Sequence, residues 1–316
     1  MSRRPKKRPH WLYAALAFVL AALVVAVLLP ENDRAPTSGR SSVVVVDSGS
    51  EPAVPALSTE KKPADFAFEE VNEGQNLQAP KDVNVVTHNG YPESGIALVI
   101  DDVGYDMNAL KRLLALPFPV AISILPDAPG AAEAAMRAYE SGNVVMLHLP
   151  MEPTTPKYRA RMDSSFLRMD MDRTEVQTTF RKALEQVPYA IGVNNHMGSL
   201  LTTLEPPMQW VMDICRERSL FFVDSKTAHG SVAADVAAKS GIAWGSRRIF
   251  LDHTVNAEDL KLAWGAALRC AEKKGSCIVI GHPHAETLDF LEHQVRSEDY
   301  RLIRPVTSML HAEGLL

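Results

Sequence analysis

The chain has 316 residues, of which 46% are hydrophobic and 22% charged, and its formal net charge is −5 at pH 7. This mildly acidic balance, with no basic stripe in the ordered part of the sequence, argues against nucleic-acid binding. The three cysteines are an odd number, and their spacing does not indicate a disulfide framework. We therefore expect Cys215, Cys270 and Cys277 to be buried small apolar residues rather than nucleophiles.

The N-terminus combines a basic stretch, residues 1–10, with an uninterrupted apolar segment, residues 11–29. At about 1.5 Å per residue the segment spans roughly 28 Å, close to the hydrocarbon thickness of a bilayer. The pattern predicts a single-pass anchor in the inner (cytoplasmic) membrane, with everything after residue 30 on the periplasmic, extracytoplasmic side. A cleaved signal peptide is the alternative, but this apolar core is long for one, and residues 28–32 offer no small-x-small cleavage site.

Residues 30–93 have no hydrophobic periodicity and are rich in Pro, Ser, Asp, Glu and Lys. Such a composition cannot bury enough apolar surface to offset the entropy of ordering, so we predict a flexible tether. The remaining residues, 94–316, have the length of one ordinary domain.

Within residues 94–316, short apolar runs alternate with amphipathic stretches, which is typical of β-strand–α-helix units and a parallel sheet. The runs are apolar along nearly their whole length, as in strands covered on both faces. Seven strands indicate a barrel one strand short of the eight-stranded form, with an open doubly wound sheet as the alternative. The predicted strands are residues 96–100, 120–124, 144–149, 190–193, 220–223, 242–244 and 277–281, and the predicted helices are residues 107–115, 130–141, 174–186, 206–218, 231–240 and 257–274.

Polar side chains follow most of these predicted strands, at the point where each strand ends. In a β/α barrel the C-terminal strand ends converge on one face and build the active site. Two adjacent carboxylates after a buried strand are costly to desolvate unless a cation or hydrogen bonds compensate them. Asp and His residues converging there indicate the metal site of an enzyme. The residues concerned are Asp101 and Asp102, His148, Asn194, Asn195 and His196, Asp224, Asp252, and His282.

The Asp pair and two histidines are the predicted metal site. Asp102 is expected to bind the metal while Asp101 takes a proton from water; the alternative for this pair is a helix cap and a surface charge. His148 is expected to be a ligand because the apolar run ends directly before a proline-bounded loop. With His196 as the third ligand, the site would keep an open position for water, as catalytic zinc sites do.

The other strand ends supply supporting groups. The amide of Asn195 and neighbouring N–H groups are suitable donors to a developing oxyanion, although a plain Asn/Gly turn would look the same. Asp224 could orient a ligand imidazole or the catalytic acid, and Asp252 could do the same or cap a turn. His282, directly at the end of the last strand, is our choice for the general acid. Glu152 either faces the pocket or pairs with a nearby arginine.

Five short segments, in order along residues 95–290, carry a family resemblance. They read IDDVG at 100–104, HLPMEP at 148–153, NNHMGS at 194–199, FVDS at 222–225 and GHP at 281–283. In these segments the chain resembles the divergent branch of the polysaccharide deacetylase superfamily. The resemblance implies a distorted seven-stranded (β/α) barrel and a divalent metal, usually zinc, bound by an Asp and two His. It also implies that Asp101 is the base, that Asp102 is a ligand and that His282 is the acid.

The sequence departs from the family pattern at the metal ligands. Typical members take both histidines from one motif, His-Ser/Thr-x-x-His, whereas His148 is followed by LPME, so His196 must supply the second imidazole from another strand end. We expect a metal-dependent hydrolase that removes an acetyl or related acyl group from an amino sugar of a cell-envelope glycan. The alternatives are a non-catalytic, membrane-tethered envelope-binding or scaffold protein with a vestigial site, and hydrolysis of another bond, such as a peptide or an ester.

Overall fold

The structure is a computed structural model that describes residues 93–293, 295–296 and 298–311. The predicted basic N-terminus, the predicted anchor at residues 11–29 and nearly all of the predicted tether lie outside the described residues. Within the described ranges, no helix has the length and apolar character needed to cross a bilayer.

Seven parallel strands close into a barrel in chain order, and β7 pairs with β1 to complete it. The seven-stranded barrel is therefore confirmed, and the open-sheet alternative is wrong. Two predicted strands were misplaced: β4 runs on through polar residues, and β6 begins where the predicted strand ended and continues through two arginines. The strands are β1 Gly95–Val103, β2 Ala121–Ile124, β3 Val144–Met151, β4 Gly192–Met197, β5 Phe221–Asp224, β6 Trp244–Phe250 and β7 Ser276–Gly281.

Helices connect the strands and pack against them, and several begin at a side-chain cap. Asp106 caps α1 by accepting from the backbone N–H groups of Asn108 and Ala109, so neither Asp101 nor Asp102 is the cap of this helix. The α3 turn and α8 were not predicted from the sequence. The helices are α1 Met107–Leu114, α2 Ala131–Glu140, α3 Pro156–Arg159, α4 Arg173–Gln186, α5 Glu205–Glu217, α6 Ala233–Lys239, α7 Ala257–Lys274 and α8 Ala285–His293.

Side-chain alternation along the strands separates two apolar layers. The larger layer lies between sheet and helices and takes Ile96, Leu98 and Ile100 from β1. The smaller layer fills the barrel interior and includes Ala97, Val99, Met146, Phe221, Val223, Ile278 and Ile280. Because the interior positions recur every second residue, the next ones toward the C-terminal strand ends are Asp101, His148, Ser225 and His282. The interior of the barrel is therefore apolar up to these positions and becomes polar in this next layer of side chains, at the C-terminal ends of the strands.

The cysteines differ from the prediction. Cys270, near the end of α7, forms a disulfide with Cys277 at the start of β7, although the spacing of the cysteines indicated no disulfide framework. Cys215 is free and fully buried, as expected of a small apolar residue. The pairing depends on the helix ending directly before the strand, which brings two cysteines seven positions apart into contact.

Candidate functional site

Three predicted ligand atoms converge at the C-terminal end of the barrel. Asp102 Oδ1 lies 3.0 Å from His196 Nδ1 and 3.3 Å from His148 Nε2, and the two ring nitrogens are 3.2 Å apart. Tetrahedral ligands about 2.0–2.1 Å from a zinc ion are separated by roughly 3.3 Å. The donor set and its spacing therefore fit a divalent metal ion without rearrangement.

The backbone of β1 turns Asp102 into this position. The pairing of β1 with β2 shifts register between Ile100 and Val103, which marks an irregularity where an extra residue changes the direction of the strand. Asp102 has φ 57°, a left-handed conformation that Asp tolerates better than most residues. As a result Asp101 and Asp102, although adjacent, both reach the cluster instead of pointing to opposite faces of the sheet.

The electrostatic environment of the cluster favours a bound cation. Burial opposes ionisation of Asp102, but His148 and His196 outweigh it and hold the pKa of this carboxyl well below its usual range. Burial likewise opposes protonation of His148, but Asp101, Asp102 and Asn194 raise the pKa of its imidazole above the ordinary value. The same two carboxylates that stabilise a proton on His148 would stabilise a metal ion in its place.

Asn194 organises the inner side of the cluster, a role that the sequence did not assign to it although it is among the polar residues at the strand ends. Its Oδ1 lies 2.9 Å from His148 Nδ1 and accepts from Ser123 Oγ at 2.7 Å, while its Nδ2 donates to Asp101 Oδ1 at 2.8 Å and to Ser225 Oγ at 3.2 Å. Because Asn194 Oδ1 is an acceptor, the ring proton of His148 lies on Nδ1. The lone pair on Nε2 of His148 then points at the metal position.

Asn195, the residue predicted to be the oxyanion donor, points away from the cluster. Its Oδ1 accepts from the Ser225 backbone N–H at 2.9 Å, and its Nδ2 donates to the Met197 carbonyl at 2.8 Å. The amide thus holds the loops after β4 and β5 together, and it has no free N–H aimed at the metal position. Alternation was the signal that could have corrected the choice, because a ligand at His196 puts Asn194, not Asn195, on the same face.

His282 faces the cluster from the last strand. Its Nε2 lies 4.0 Å from Asp102 Oδ2, and its Nδ1 lies 3.0 Å from Asp252 Oδ1. Asp252 is itself fixed, because its Oδ2 accepts from the His282 backbone N–H at 2.6 Å and from Thr287 Oγ1 at 2.9 Å. Burial opposes protonation of His282, but the hydrogen bond to Asp252 and the nearby carboxylates outweigh it and raise the pKa of the imidazole to about 9.

The structure does not bring Asp224 to an imidazole. This carboxylate accepts from the Lys226 backbone N–H at 2.8 Å and from Ser231 Oγ at 2.7 Å, and it pairs with Lys226 Nζ at 3.1 Å. It therefore holds the loop after β5, and the contact with a histidine that was expected of it is made by Asp252 instead.

Glu152 takes the second of the two roles that the sequence left open. It accepts from the Met169 backbone N–H at 2.7 Å and pairs with Arg159 Nη2 at 2.7 Å, which fixes the long connection between β3 and α4. Alternation along β3 does not carry Glu152 into the pocket, because the strand ends at Met151. His284 lies exposed beside His282, with ring centroids 5.7 Å apart.

Comparisons with known proteins give one family model and two curated relatives. The family model described as divergent polysaccharide deacetylase matches residues 98–309. The uncharacterized protein YibQ of Escherichia coli K12 is 36% identical over 221 residues, which are 70% of this chain and 67% of that protein. An uncharacterized protein of Haemophilus influenzae is 34% identical over 215 residues, covering 67% of this chain and 76% of the relative.

One solved structure shows the same fold at low sequence identity. The crystal structure of the uncharacterized protein ATU2773 from Agrobacterium tumefaciens superposes with a TM-score of 0.64 at 18% identity, over 69% of this chain and 90% of that one. The likeness at this level of identity concerns the barrel alone.

Proposed function

The chain belongs to the divergent polysaccharide deacetylase family, and on that basis we propose that it is a metal-dependent hydrolase acting on a cell-envelope glycan. The bond cleaved is the amide of an acetylated, or similarly acylated, amino sugar. The observation that carries the proposal is the convergence of Asp102, His148 and His196 on one point. Asp101 and His282 both lie within 4.0 Å of this cluster.

The proposed cofactor is a divalent metal ion, most simply zinc, held by one carboxylate and two imidazoles. Oxygen and imidazole nitrogen donors with an open fourth position are the set found in catalytic zinc sites. When bound, such an ion polarises a carbonyl oxygen and lowers the pKa of water toward neutrality.

Asp101 is placed to act as the general base. Its Oδ1 is occupied by the Asn194 amide, whereas its Oδ2 faces the cluster, 3.6 Å from His148 Nε2. The carboxylate is buried, so the amide hydrogen bond determines which oxygen is available. Asp101 Oδ2 would take a proton from the attacking water as the new C–O bond forms.

His282 is placed to act as the general acid. With a pKa raised to about 9, its imidazole is protonated at neutral pH and can donate a proton from Nε2. The bond from Nδ1 to Asp252 fixes the ring so that Nε2 faces the cluster. Transfer of this proton to the departing amine nitrogen would complete hydrolysis to acetate and a free amino sugar.

The test measures metal content and acetate release from N-acetylated oligosaccharides with the purified full-length protein. We expect about one divalent ion per chain, as three protein ligands with an open position imply. Asp101→Asn should keep the ion and lose activity by about 100-fold or more, the usual contribution of a general base. His148→Ala with His196→Ala should lose both. The exposed Asp235 serves as the control, because Asp235→Asn removes a carboxylate of α6 without touching the cluster.

The outcomes separate the proposed enzyme from its alternatives. A folded protein that binds no metal even when zinc is supplied would overturn the hydrolase and favour the non-catalytic envelope-binding or scaffold role. Bound metal with release of product from ester or peptide substrates, but none from acetylated sugars, would reassign the bond cleaved.

A periplasmic location with a single membrane anchor is also part of the proposal. It is supported by the apolar segment at residues 11–29 and by the Cys270–Cys277 disulfide, because disulfides persist in oxidising compartments. Protease digestion of spheroplasts should degrade the C-terminal domain while the inner membrane stays intact. Protection of that domain until the membrane is lysed would overturn this location.

A further inference from the structure

A cleft over β6 is not used by the proposed reaction. It lies between the loop after β5 and the C-terminal half of α7, and its volume is about 640 Å³, within the range of small-molecule sites. The residues that line it are Lys226, Ala228, His229, Ser246, Arg247, Arg248, Ile249, Cys270 and Lys274.

The described part of the chain leaves β6 unusually open. Strands of a parallel barrel are normally covered on both faces, and the other six strands are mostly buried. In β6 Gly245 is the one buried residue of seven, and the strand carries Arg247 and Arg248 in its middle. Two consecutive arginines in a barrel strand are costly unless their charges meet water or an anion.

The cleft is strongly positive. Lys226, Arg247, Arg248 and Lys274 line it, together with His229, and none of its described lining residues is acidic. Lys226 is paired with Asp224. Within the described ranges, the side chains of Arg248 and Lys274 have neither a hydrogen bond nor an ion pair, so their charges are available to a ligand.

Arg247 is held rigidly at the inner side of the cleft. Its Nε donates to the Ser225 carbonyl at 2.6 Å and its Nη2 to the Lys226 carbonyl at 2.9 Å, and its guanidinium lies 5.0 Å from the centroid of the Phe250 ring. No described carboxylate pairs with it. Asp224 and Asp101 attract this guanidinium from a distance, but neither forms an ion pair with it. A fixed, half-buried cation with no carboxylate in contact gains from an anion more than a mobile surface lysine does, because little side-chain entropy is lost on binding.

We propose that this cleft is a binding site for a phosphate group. A carboxylate carries one negative charge, whereas a phosphate monoester carries nearly two and offers three acceptor oxygens. Guanidinium forks and lysine ammonium groups converging on one cavity match that charge and number of acceptors. The Cys270–Cys277 disulfide braces the segment that carries Lys274, so the cleft is preorganised on both sides.

The cleft also has a direct structural connection to the candidate active site. Arg247 contacts the carbonyl of Ser225, Ser225 Oγ accepts from Asn194 Nδ2 at 3.2 Å, and the same amide nitrogen donates to Asp101 at 2.8 Å. Phosphate binding needs neither metal nor turnover, so it can be tested independently of the proposed hydrolysis.

The test is calorimetric titration of purified full-length protein, stripped of divalent metal, with inorganic pyrophosphate as the probe. Stripping the metal excludes binding of the probe through a metal ion. Arg248→Gln with Lys274→Gln should weaken binding by about tenfold or more, because two charge-assisted contacts are lost. The control is Lys261→Gln with Lys273→Gln, which removes the same charge from exposed positions of α7 that do not line the cleft, and should change affinity by less than about twofold.

Competition identifies the source of the phosphate. N-acetylglucosamine 1-phosphate displacing pyrophosphate more strongly than glycerol 3-phosphate supports a phosphorylated sugar, and the reverse order supports a phospholipid headgroup. No measurable pyrophosphate binding overturns the site. Equal losses in the cleft variant and the control variant overturn it as well, because they would reflect net charge alone.

Discussion

Replacing Asp252 with asparagine tests how the charge of His282 is controlled. We expect Asp252→Asn to lower the pKa of His282 in the metal-free protein by roughly one to two pH units. The carboxylate lies 3.0 Å from His282 Nδ1 and stabilises the protonated ring. An asparagine can keep a hydrogen bond to that nitrogen, but it removes the negative charge.

The magnitude follows from the position of the two groups. The pKa of His282 is raised from 6.5 to about 9, against the effect of burial. At 1.36 kcal/mol per pH unit, the whole rise corresponds to about 3 kcal/mol. Asp101 and Asp102 also contribute to it, so loss of the Asp252 charge should remove only part of the rise.

The raised pKa of His282 also predicts how the free energy of unfolding depends on pH. Because the pKa is higher in the folded state, the stabilisation is complete below the unfolded-state pKa near 6.5 and is lost as the pH rises through about 9. The difference in unfolding free energy between the native chain and Asp252→Asn should therefore be largest near pH 6 and shrink above pH 9.

The assay is an NMR titration of the histidine Cε1–H resonances, with His282 assigned from a His282→Gln variant. Asp224→Asn is the matched control, because Asp224 is equally buried but contacts no imidazole. An unchanged pKa in Asp252→Asn, or an equal fall in both variants, would refute the assignment of Asp252 as the partner of His282.

Three further predictions concern packing, thiol chemistry and the support of the ligands. Gly192→Ala should lower the free energy of unfolding in urea by about 1–3 kcal/mol, because the added Cβ would overlap the Phe221 ring inside the barrel. Gly230→Ala is the control and should change stability little, because the atom nearest to its added Cβ is 3.9 Å away. Cys215 should not react with thiol reagents until the protein is denatured, because burial raises the pKa of its thiol; labelling of the native protein would contradict this. Asn194→Leu should weaken zinc affinity by about 10–100-fold, measured by competition with a chelator, because a ligand imidazole loses its acceptor; unchanged affinity would show that this support is dispensable.

Local sequence patterns predicted the alternating strands and helices, favoured a barrel over an open sheet, and indicated where the candidate site lies. Continuous apolar runs separated by amphipathic stretches reflect strands buried on both faces, and this pattern needs no knowledge of distant contacts. Polar residues at the ends of those runs marked Asp101, Asp102, His148 and His196, because parallel strand ends necessarily meet at one face. The same reasoning misplaced β6, where two arginines interrupt the apolar run in a strand that the described chain leaves open.

The tertiary structure decided which polar residues act together. Whether Asn194 or Asn195 faces the cluster depends on strand register, and whether Asp224 or Asp252 reaches an imidazole depends on how two loops fold. The Cys270–Cys277 pairing likewise required the end of a helix to meet the start of a strand. Composition and periodicity determine which side chains are buried. Hydrogen bonds and metal sites instead require distances between atoms that are correct to within a few tenths of an ångström, and such distances are set only when distant segments pack together.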